Sequence, residues 1–251
     1  KATGATVEEV LVKDIKPELT AQNQDVCLQR LKDSDSVVFS GGFSFGDEPD
    51  GAAKFMVNFL QTKEVKAALE AFLERDGLIL GICNGFQALV KSGFLPDVKP
   101  EQGPQEMTLF HNKQMRHVSR IARTRVVTND SPWLWNFKAG EIQTVAVSHG
   151  EGRLLVPEET AKELFANGQV AYQYVDLNGE PSLDAPWNPN GSSYAIEGLL
   201  SPCGKILGKM GHAERYRPGL MQNIPGMKEQ KIFENAVQWV KHHKAQVSYE
   251  A

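Results

Sequence analysis

The residues best placed to do chemistry lie in Gly81-Ile82-Cys83-Asn84-Gly85. An apolar run, Leu78-Ile79-Leu80, precedes the stretch and Phe86-Gln87-Ala88-Leu89-Val90 follows it, which predicts a cysteine at a turn from buried strand to helix. Flanking glycines allow a strained turn that pushes the side chain into a cleft. The N-terminus of the following helix carries partial positive charge, which favours thiolate over thiol. Cys83 is therefore a candidate nucleophile. A packed cysteine in an ordinary strand-to-helix connection has the same spacing, so Gly-x-Cys-x-Gly alone does not decide.

A cysteine nucleophile needs a base within hydrogen-bond reach, and the base needs a third group to orient it. Two of the six histidines stand at predicted strand ends. The strand Ile206 to Met210 ends at Gly211 and leads to His212-Ala213-Glu214. Residues two apart on an extended chain point the same way, so Glu214 could fix the tautomer of His212 and stabilise its charged form. A His-Glu pair capping a loop is the structural alternative. The strand Glu141 to Val147 leads to Ser148-His149-Gly150-Glu151-Gly152, where the same His-x-Glu spacing recurs. Pattern does not cleanly separate the two. Glycines around Glu151 suggest close approach of the backbone to a ligand, so this loop reads as substrate-binding and Cys83, His212 and Glu214 as the catalytic group. His111 and His117 fall in a polar region without strand-end context. His242 and His243 lie beside lysines on the last helix and read as solvated surface.

Attack on a carbonyl carbon makes an oxyanion, which needs preorganised N–H donors. The amide of Asn84 directly follows the nucleophile. The amide of Gly42 or Phe43, in Gly41-Gly42-Phe43-Ser44-Phe45-Gly46-Asp47, is the natural second donor. A plain turn is the alternative at Gly41-Gly42. A phosphate loop is disfavoured, since the Gly-x-x-x-x-Gly-Lys-Ser/Thr spacing is absent.

The elements that must hold these residues alternate. Thr6 to Val12 predicts a strand, with Asp14 to Pro17 turning out of it. Thr20 to Lys32 predicts a helix, Ser36 to Phe39 a buried strand, and Lys54 to Leu60 and Val65 to Glu74 two helices. Strands alternating with helices imply a parallel sheet, whose ligands sit at the carboxyl ends of the strands. If the strands before Gly41 and Gly81 are neighbours, both turns face one pocket. After a polar stretch, Pro96 to Met107, come predicted strands at His117 to Val127, Glu141 to Val147, Ala171 to Val175, Tyr194 to Leu200 and Ile206 to Met210. An Asn178-Gly179 hairpin signal and a hairpin across Pro202-Cys203-Gly204 make this half antiparallel. Pro186 to Ser192 reads as a rigid turn and Ile232 to His242 as a closing helix. The fold class is α/β: an open, mostly parallel sheet with helices on both faces and added antiparallel strands, in one domain over residues 1–251.

The chain has 251 residues, 41% hydrophobic and 23% charged, with a net charge of −4 from 27 basic and 31 acidic residues. That balance gives no sign of a nucleic-acid partner. No apolar run approaches the ~20 residues of a membrane helix. Three cysteines, Cys27, Cys83 and Cys203, without a Cys-x-x-Cys pair argue against a disulfide framework or a structural zinc site and for a reducing, cytoplasmic setting. No signal peptide is visible, and Lys1 to Ala5 resembles the end of a helix, so the chain is expected to continue a longer one.

With these residues assembled, the chain resembles the class I (triad) glutamine amidotransferases, which have a flavodoxin-like fold. Gly41 to Asp47, Gly81 to Gln87 and His212-x-Glu214 carry the likeness. The segments LGICNGFQALVKSGFLP, VSHGEGR, QYVDLNGEP to NPNGS, and GHAER are similar to the glutaminase domains of phosphoribosylformylglycinamidine synthases, from about Val7 to Trp239. The resemblance implies that Cys83 attacks glutamine's side-chain amide and that His212 moves the proton while Glu214 orients it. A γ-glutamyl thioester forms and ammonia leaves. Gln87 matches a glutamine-binding position, and Ser148, His149, Gly150 and Glu151 match the segment that holds the α-carboxylate and α-amino group. No cofactor is implied for this domain. Ammonia passes to a synthetase domain of the same enzyme, which uses ATP and magnesium. Glu48-Pro49-Asp50-Gly51 and the NPNGS turn look like the large single-chain enzymes, and the family's first strand lies before Lys1. Many members have Pro-His-Pro-Glu-Arg where Gly211-His212-Ala213-Glu214-Arg215 stands, a change expected to loosen the backbone. Two other readings remain: an α/β-hydrolase-like or DJ-1-like cysteine hydrolase, and a non-catalytic interaction domain.

Overall fold

Short apolar runs become the parallel strands, with Ser36–Phe39 at the sheet edge. In this computed structural model, which describes residues 3–12, 17–42, 53–97 and 107–250, β1 (Ser36–Phe39) and β2 (Leu78–Ile82) lie side by side and parallel. Between them run α2 (Lys54–Leu60) and α3 (Lys63–Glu74), preceded by α1 (Pro17–Asp33). Leu78, Ile79 and Leu80 are fully buried, as a strand covered on both faces requires. α4 (Asn84–Lys91) leaves β2 directly and packs back on it, burying Phe86, Ala88, Leu89 and Val90. Burial of Phe86, Leu89 and Val90 contributes about 1.5–3 kcal/mol each.

The second half adds β3 (Thr108–His111), β4 (Val118–Val126), β5 (Ile142–His149), β6 (Glu151–Leu155), α5 (Glu158–Ala166), β7 (Val170–Tyr174), β8 (Ile196–Leu200), β9 (Ile206–Lys209) and α6 (Ile232–Glu250). The main sheet runs β1-β2-β9-β8-β7-β4-β5. β1, β2 and β9 are parallel, and every later pairing is antiparallel. The fold is α/β, with helices against a mixed sheet in which the antiparallel addition is larger than the parallel part. A second sheet pairs β3 with β6.

Four expectations change. Thr6 to Val12 forms no strand, and Val7 and Leu11 are exposed: its β-branched residues suit a strand, but among the described residues no strand pairs with it. Ser148 to Arg153 is no loop, because β5 runs to His149 and β6 begins at Glu151. His111 sits on β3, not in polar coil. Residues 13–16, 43–52 and 98–106 lie outside the described residues, and with them the Asp14 turn, Phe43 and the rest of the Gly46-Asp47 motif. His243 is not free surface: it bonds Asp76 at 2.9 Å and stacks on Trp239. Among the described residues no helix is long and apolar enough to cross a membrane.

Candidate active site

Cys83 sits between β2 and α4 with φ 52° and ψ −105°. A non-glycine residue rarely adopts this backbone, and such strain persists only where the surroundings impose it. They do so here by crowding. A Cβ on Gly85 would fall 2.0 Å from the Phe39 carbonyl oxygen, so α4 can start this close to β1 only with glycine there. The turn aims the cysteine into a cleft of about 310 Å³ at the carboxyl ends of β1, β2 and β9.

His212 faces the same cleft. Its backbone N–H donates to Ala146 on β5 at 2.8 Å, and Ala213–Arg215 then form a 3-10 turn. Glu214 therefore reaches the imidazole by a tight turn rather than along an extended strand. Nδ1 of His212 meets Glu214 Oε1 at 2.6 Å, while Nε2 is buried and makes no hydrogen bond. Burial pushes the Glu214 carboxyl up, but the His212 hydrogen bond and charge outweigh it and hold the group below its usual range. Gly41 separates base from thiol. A Cβ there would lie 2.9 Å from His212 Cε1 and 3.2 Å from Cys83 Cβ, so no side chain fits between them.

Cys83 is a resting thiol. Burial pushes its pKa up to about 11, against the pull of the Asn84 N–H, the Arg215 charge and the Gly42 N–H. The first amide of α4 does favour thiolate, as expected, but desolvation outweighs it. Asn84 and Gly42 line the same cleft as Cys83, and their amides favour the charged sulfur. The S–H itself donates to the Ser148 carbonyl at 3.8 Å.

The second His-x-Glu pair is built differently. His149 closes β5 in the main sheet and Glu151 opens β6 in the small one, so the carboxylate turns away from the ring. Asn112 donates its amide to the carbonyls of Arg116 and His149, which leaves its Oδ1 to accept from His149 Nδ1 at 3.1 Å. That fixes the tautomer: Nδ1 carries the proton and Nε2, buried without a partner, is an acceptor. Burial, with His117 and His212 nearby, lowers the His149 pKa to about 3, so the ring stays neutral. Glu151 instead faces Lys91 at 3.4 Å and His111 at 3.6 Å.

Gln87 lies one helical turn after Cys83 and lines the cleft, yet its amide already holds the fold: it accepts from Asn84 at 3.2 Å and donates to the Glu151 carbonyl. Ser148 and Gly150 also line the cleft, and Ser148 Oγ contacts His117 Nε2 at 3.0 Å. A Cβ on Gly150 would meet nothing within 4 Å. Sequence reasoning set aside His111 and His117, and missed Asn112, Arg116 and Arg215, although all but Asn112 line the cleft. The pairing of His111 with Glu151 across β3 and β6 brings the polar region in, and only a strand signal in Thr108–His111 could have found it. Among the described residues no group of three His, Cys, Asp or Glu could hold a metal ion.

A model of the CobB/CobQ-like glutamine amidotransferase domain matches residues 1–240. The chain is 36% identical over 190 residues to the phosphoribosylformylglycinamidine synthase subunit PurQ of Rhodopseudomonas palustris, covering 76% of this chain and 74% of that one. It is 34% identical over 209 residues to PurQ of Gloeobacter violaceus, covering 82% and 81%. Among solved structures it is similar to PurLQS from Thermotoga maritima, with TM-score 0.61, 25% identity, and coverage of 83% and 81%. The likeness spans the parallel strands, the Cys83 turn and the antiparallel half alike, and the chain belongs to the CobB/CobQ-like glutamine amidotransferase domain family.

Proposed function

We propose that this chain is the glutaminase part of a phosphoribosylformylglycinamidine synthase, releasing ammonia from glutamine for purine biosynthesis. His212 Nε2 takes the Cys83 proton as the sulfur attacks the amide carbon of glutamine. The N–H groups of Asn84 and of Gly42 or Phe43 hold the oxyanion, and the α4 terminus adds partial positive charge. The imidazolium, steadied by Glu214, returns its proton to the leaving nitrogen, and ammonia departs from a γ-glutamyl thioester. Water, deprotonated by the same imidazole, releases glutamate and restores the thiol. Gln87, Ser148, His149, Gly150 and Glu151 bind the substrate's amino-acid end. The neutral Nε2 acceptor of His149 suits its α-ammonium.

One observation carries the reading: Cys83, turned by its positive φ at the start of α4, shares a cleft with Gly42 and Asn84 and with His212, which leaves Nε2 open and commits Nδ1 to Glu214. The names of the curated relatives supply the pathway. Family membership favours glutamine over the hydrolase and interaction-domain readings. The raised thiol pKa gives a reason for an idle resting state, with proton removal at the moment of attack.

Residues 1–251 act as one domain in the cytoplasm, where three free cysteines stay reduced. The partner is a synthetase using ATP and magnesium, and the Glu48 to Gly51 and NPNGS segments favour its being the same polypeptide. The mass of the intact polypeptide from its source checks that point. Cys83→Ser should abolish glutamine-dependent synthesis by the complete enzyme and leave ammonia-dependent synthesis intact. Normal glutamine hydrolysis by that variant would end the proposal.

A further inference from the structure

Behind the cleft lies an ion pair with no part in the chemistry so far described. Lys209 ends β9, and Glu197 lies on the antiparallel neighbour β8. Their Nζ and Oε1 are 3.2 Å apart, and both side chains are 0% exposed. Among the described residues no other salt bridge is buried on both sides. Burying two charges costs desolvation that their attraction offsets only when their other hydrogen-bonding positions are filled. Lys209 fills all three: Glu197, Gln230 Oε1 at 3.0 Å and the Gly211 carbonyl at 3.0 Å.

Glu197 completes the arrangement. It does so through one oxygen: Oε1 faces Lys209 and accepts the Gly211 N–H at 2.5 Å, while Oε2 is buried without a hydrogen-bond partner. The pair's worth therefore lies in what it holds rather than in stability. Both backbone polar groups of Gly211 are therefore held by the two ends of one ion pair. Only glycine allows this. A Cβ at 211 would lie 2.7 Å from Glu197 Oε1, 2.8 Å from Val145 Cγ1 and 2.9 Å from Lys209 Nζ. The next residue is His212, whose own N–H is tied to Ala146. The loosened backbone expected at Gly211-His212 is thus absent, because the ion pair pins it from one side and β5 from the other.

We propose that Lys209 and Glu197 are positioning residues that lock the Gly211–His212 peptide and so aim His212 Nε2 at Cys83. The inference rests on His212 serving as the base for Cys83. A misplacement of about 1 Å in such a group costs ~10²-fold in rate. A pair that only stabilised the sheet would leave the rate per folded enzyme unchanged.

The test uses two charge-neutral double variants in the complete enzyme. Lys209→Met/Glu197→Leu removes both charges and both contacts to Gly211 at similar volume, a change buried pairs often tolerate. Lys209→Met/Glu197→Gln keeps an acceptor for the Gly211 N–H. In the Met/Leu variant, kcat for glutamine hydrolysis should fall ~10–100-fold with KM within ~3-fold. The pH profile of Cys83 alkylation by iodoacetamide should move toward that of His212→Ala, and hydrogen exchange in the peptide 211–214 should quicken. The Met/Gln variant should recover part of each loss. Unchanged kcat and exchange in a Met/Leu variant that keeps its melting temperature would overturn the proposal. If that variant does not fold, Met/Gln decides, and wild-type kcat and exchange there overturn it equally. Quicker exchange in either variant, combined with hydrolysis that His212→Ala does not affect, would instead overturn the assignment of His212 as base.

Discussion

The chain contains two His-x-Glu pairs, each at a strand end, and the fold treats them in opposite ways. At 212–214 a 3-10 turn folds the carboxylate back onto Nδ1 at 2.6 Å and leaves Nε2 open. At 149–151 the chain crosses from one sheet to another, an asparagine takes Nδ1, and the carboxylate faces a lysine and a second histidine. The first arrangement makes a histidine that can gain and pass a proton beside a stabilising charge. The second makes a histidine held neutral by burial, fit to accept a hydrogen bond and unfit to act as base near neutral pH. Equal spacing therefore says little about role; the partner of Nδ1 says most.

Substitutions sharpen the contrast. His212→Ala should lower kcat for glutamine hydrolysis ~10³-fold, the range for loss of a positioned base, and Glu214→Gln should lower it ~10²-fold. His149→Gln should act mainly on KM, with kcat within ~10-fold of wild type. Steady-state kinetics read all three, and a larger kcat loss at His149 than at His212 would reverse the assignment. Next come the glycines that frame each ring. Gly41→Ala places a methyl between His212 and Cys83 and should cost tens-fold in kcat. A Cβ on Gly152 would come 2.5 Å from the His149 ring, so Gly152→Ala should raise KM and leave kcat nearer wild type.

The smallest effect is on stability. The His149 pKa of about 3 in the folded chain lies below the ~6.5 of an unfolded histidine. The unfolded state thus takes up the proton first, and stability is lost as pH falls from ~6.5 toward about 3. Glu214 has the ordinary carboxylate sign: its lowered pKa favours the fold above the unfolded value and is lost on acidification. Its side chain is 40% exposed, so solvent screening keeps that effect small. Melting temperatures between pH 7 and pH 4.5 should fall less in His149→Gln than in wild type, whereas Glu214→Gln should alter that slope little.

Much of this was legible in the sequence where burial dominates. Lys54–Leu60 and the Cys83 turn follow from apolar runs and flanking glycines. Ser36–Phe39 is a strand as expected, but an edge strand with Val38 exposed rather than a buried one, and its place beside β2 brings Gly41-Gly42 against Cys83. Where partners are distant the pattern fails. Asn112, which separates His149 from His212 in role, is 37 residues from the ring it holds. Thr6 to Val12 has strand-like residues but pairs with no strand among the described residues, and β6 is hidden by Glu151 and Arg153. α5 was findable: Glu158 and Glu159 occupy its first turn, and Ala161 and Leu164 its buried face. The thiol pKa was not, since desolvation depends on how the cleft closes around the sulfur.

The most direct measurement is peptide mapping of the complete enzyme after treatment with 6-diazo-5-oxonorleucine, a glutamine-analogue electrophile, across wild type, His212→Ala and His149→Gln. The account predicts an adduct on Cys83 in wild type, formed far more slowly in His212→Ala at saturating reagent, and formed near the wild-type limiting rate in His149→Gln with more reagent needed. An adduct on another residue, or labelling of Cys83 that depends on His149 and not on His212, would contradict it.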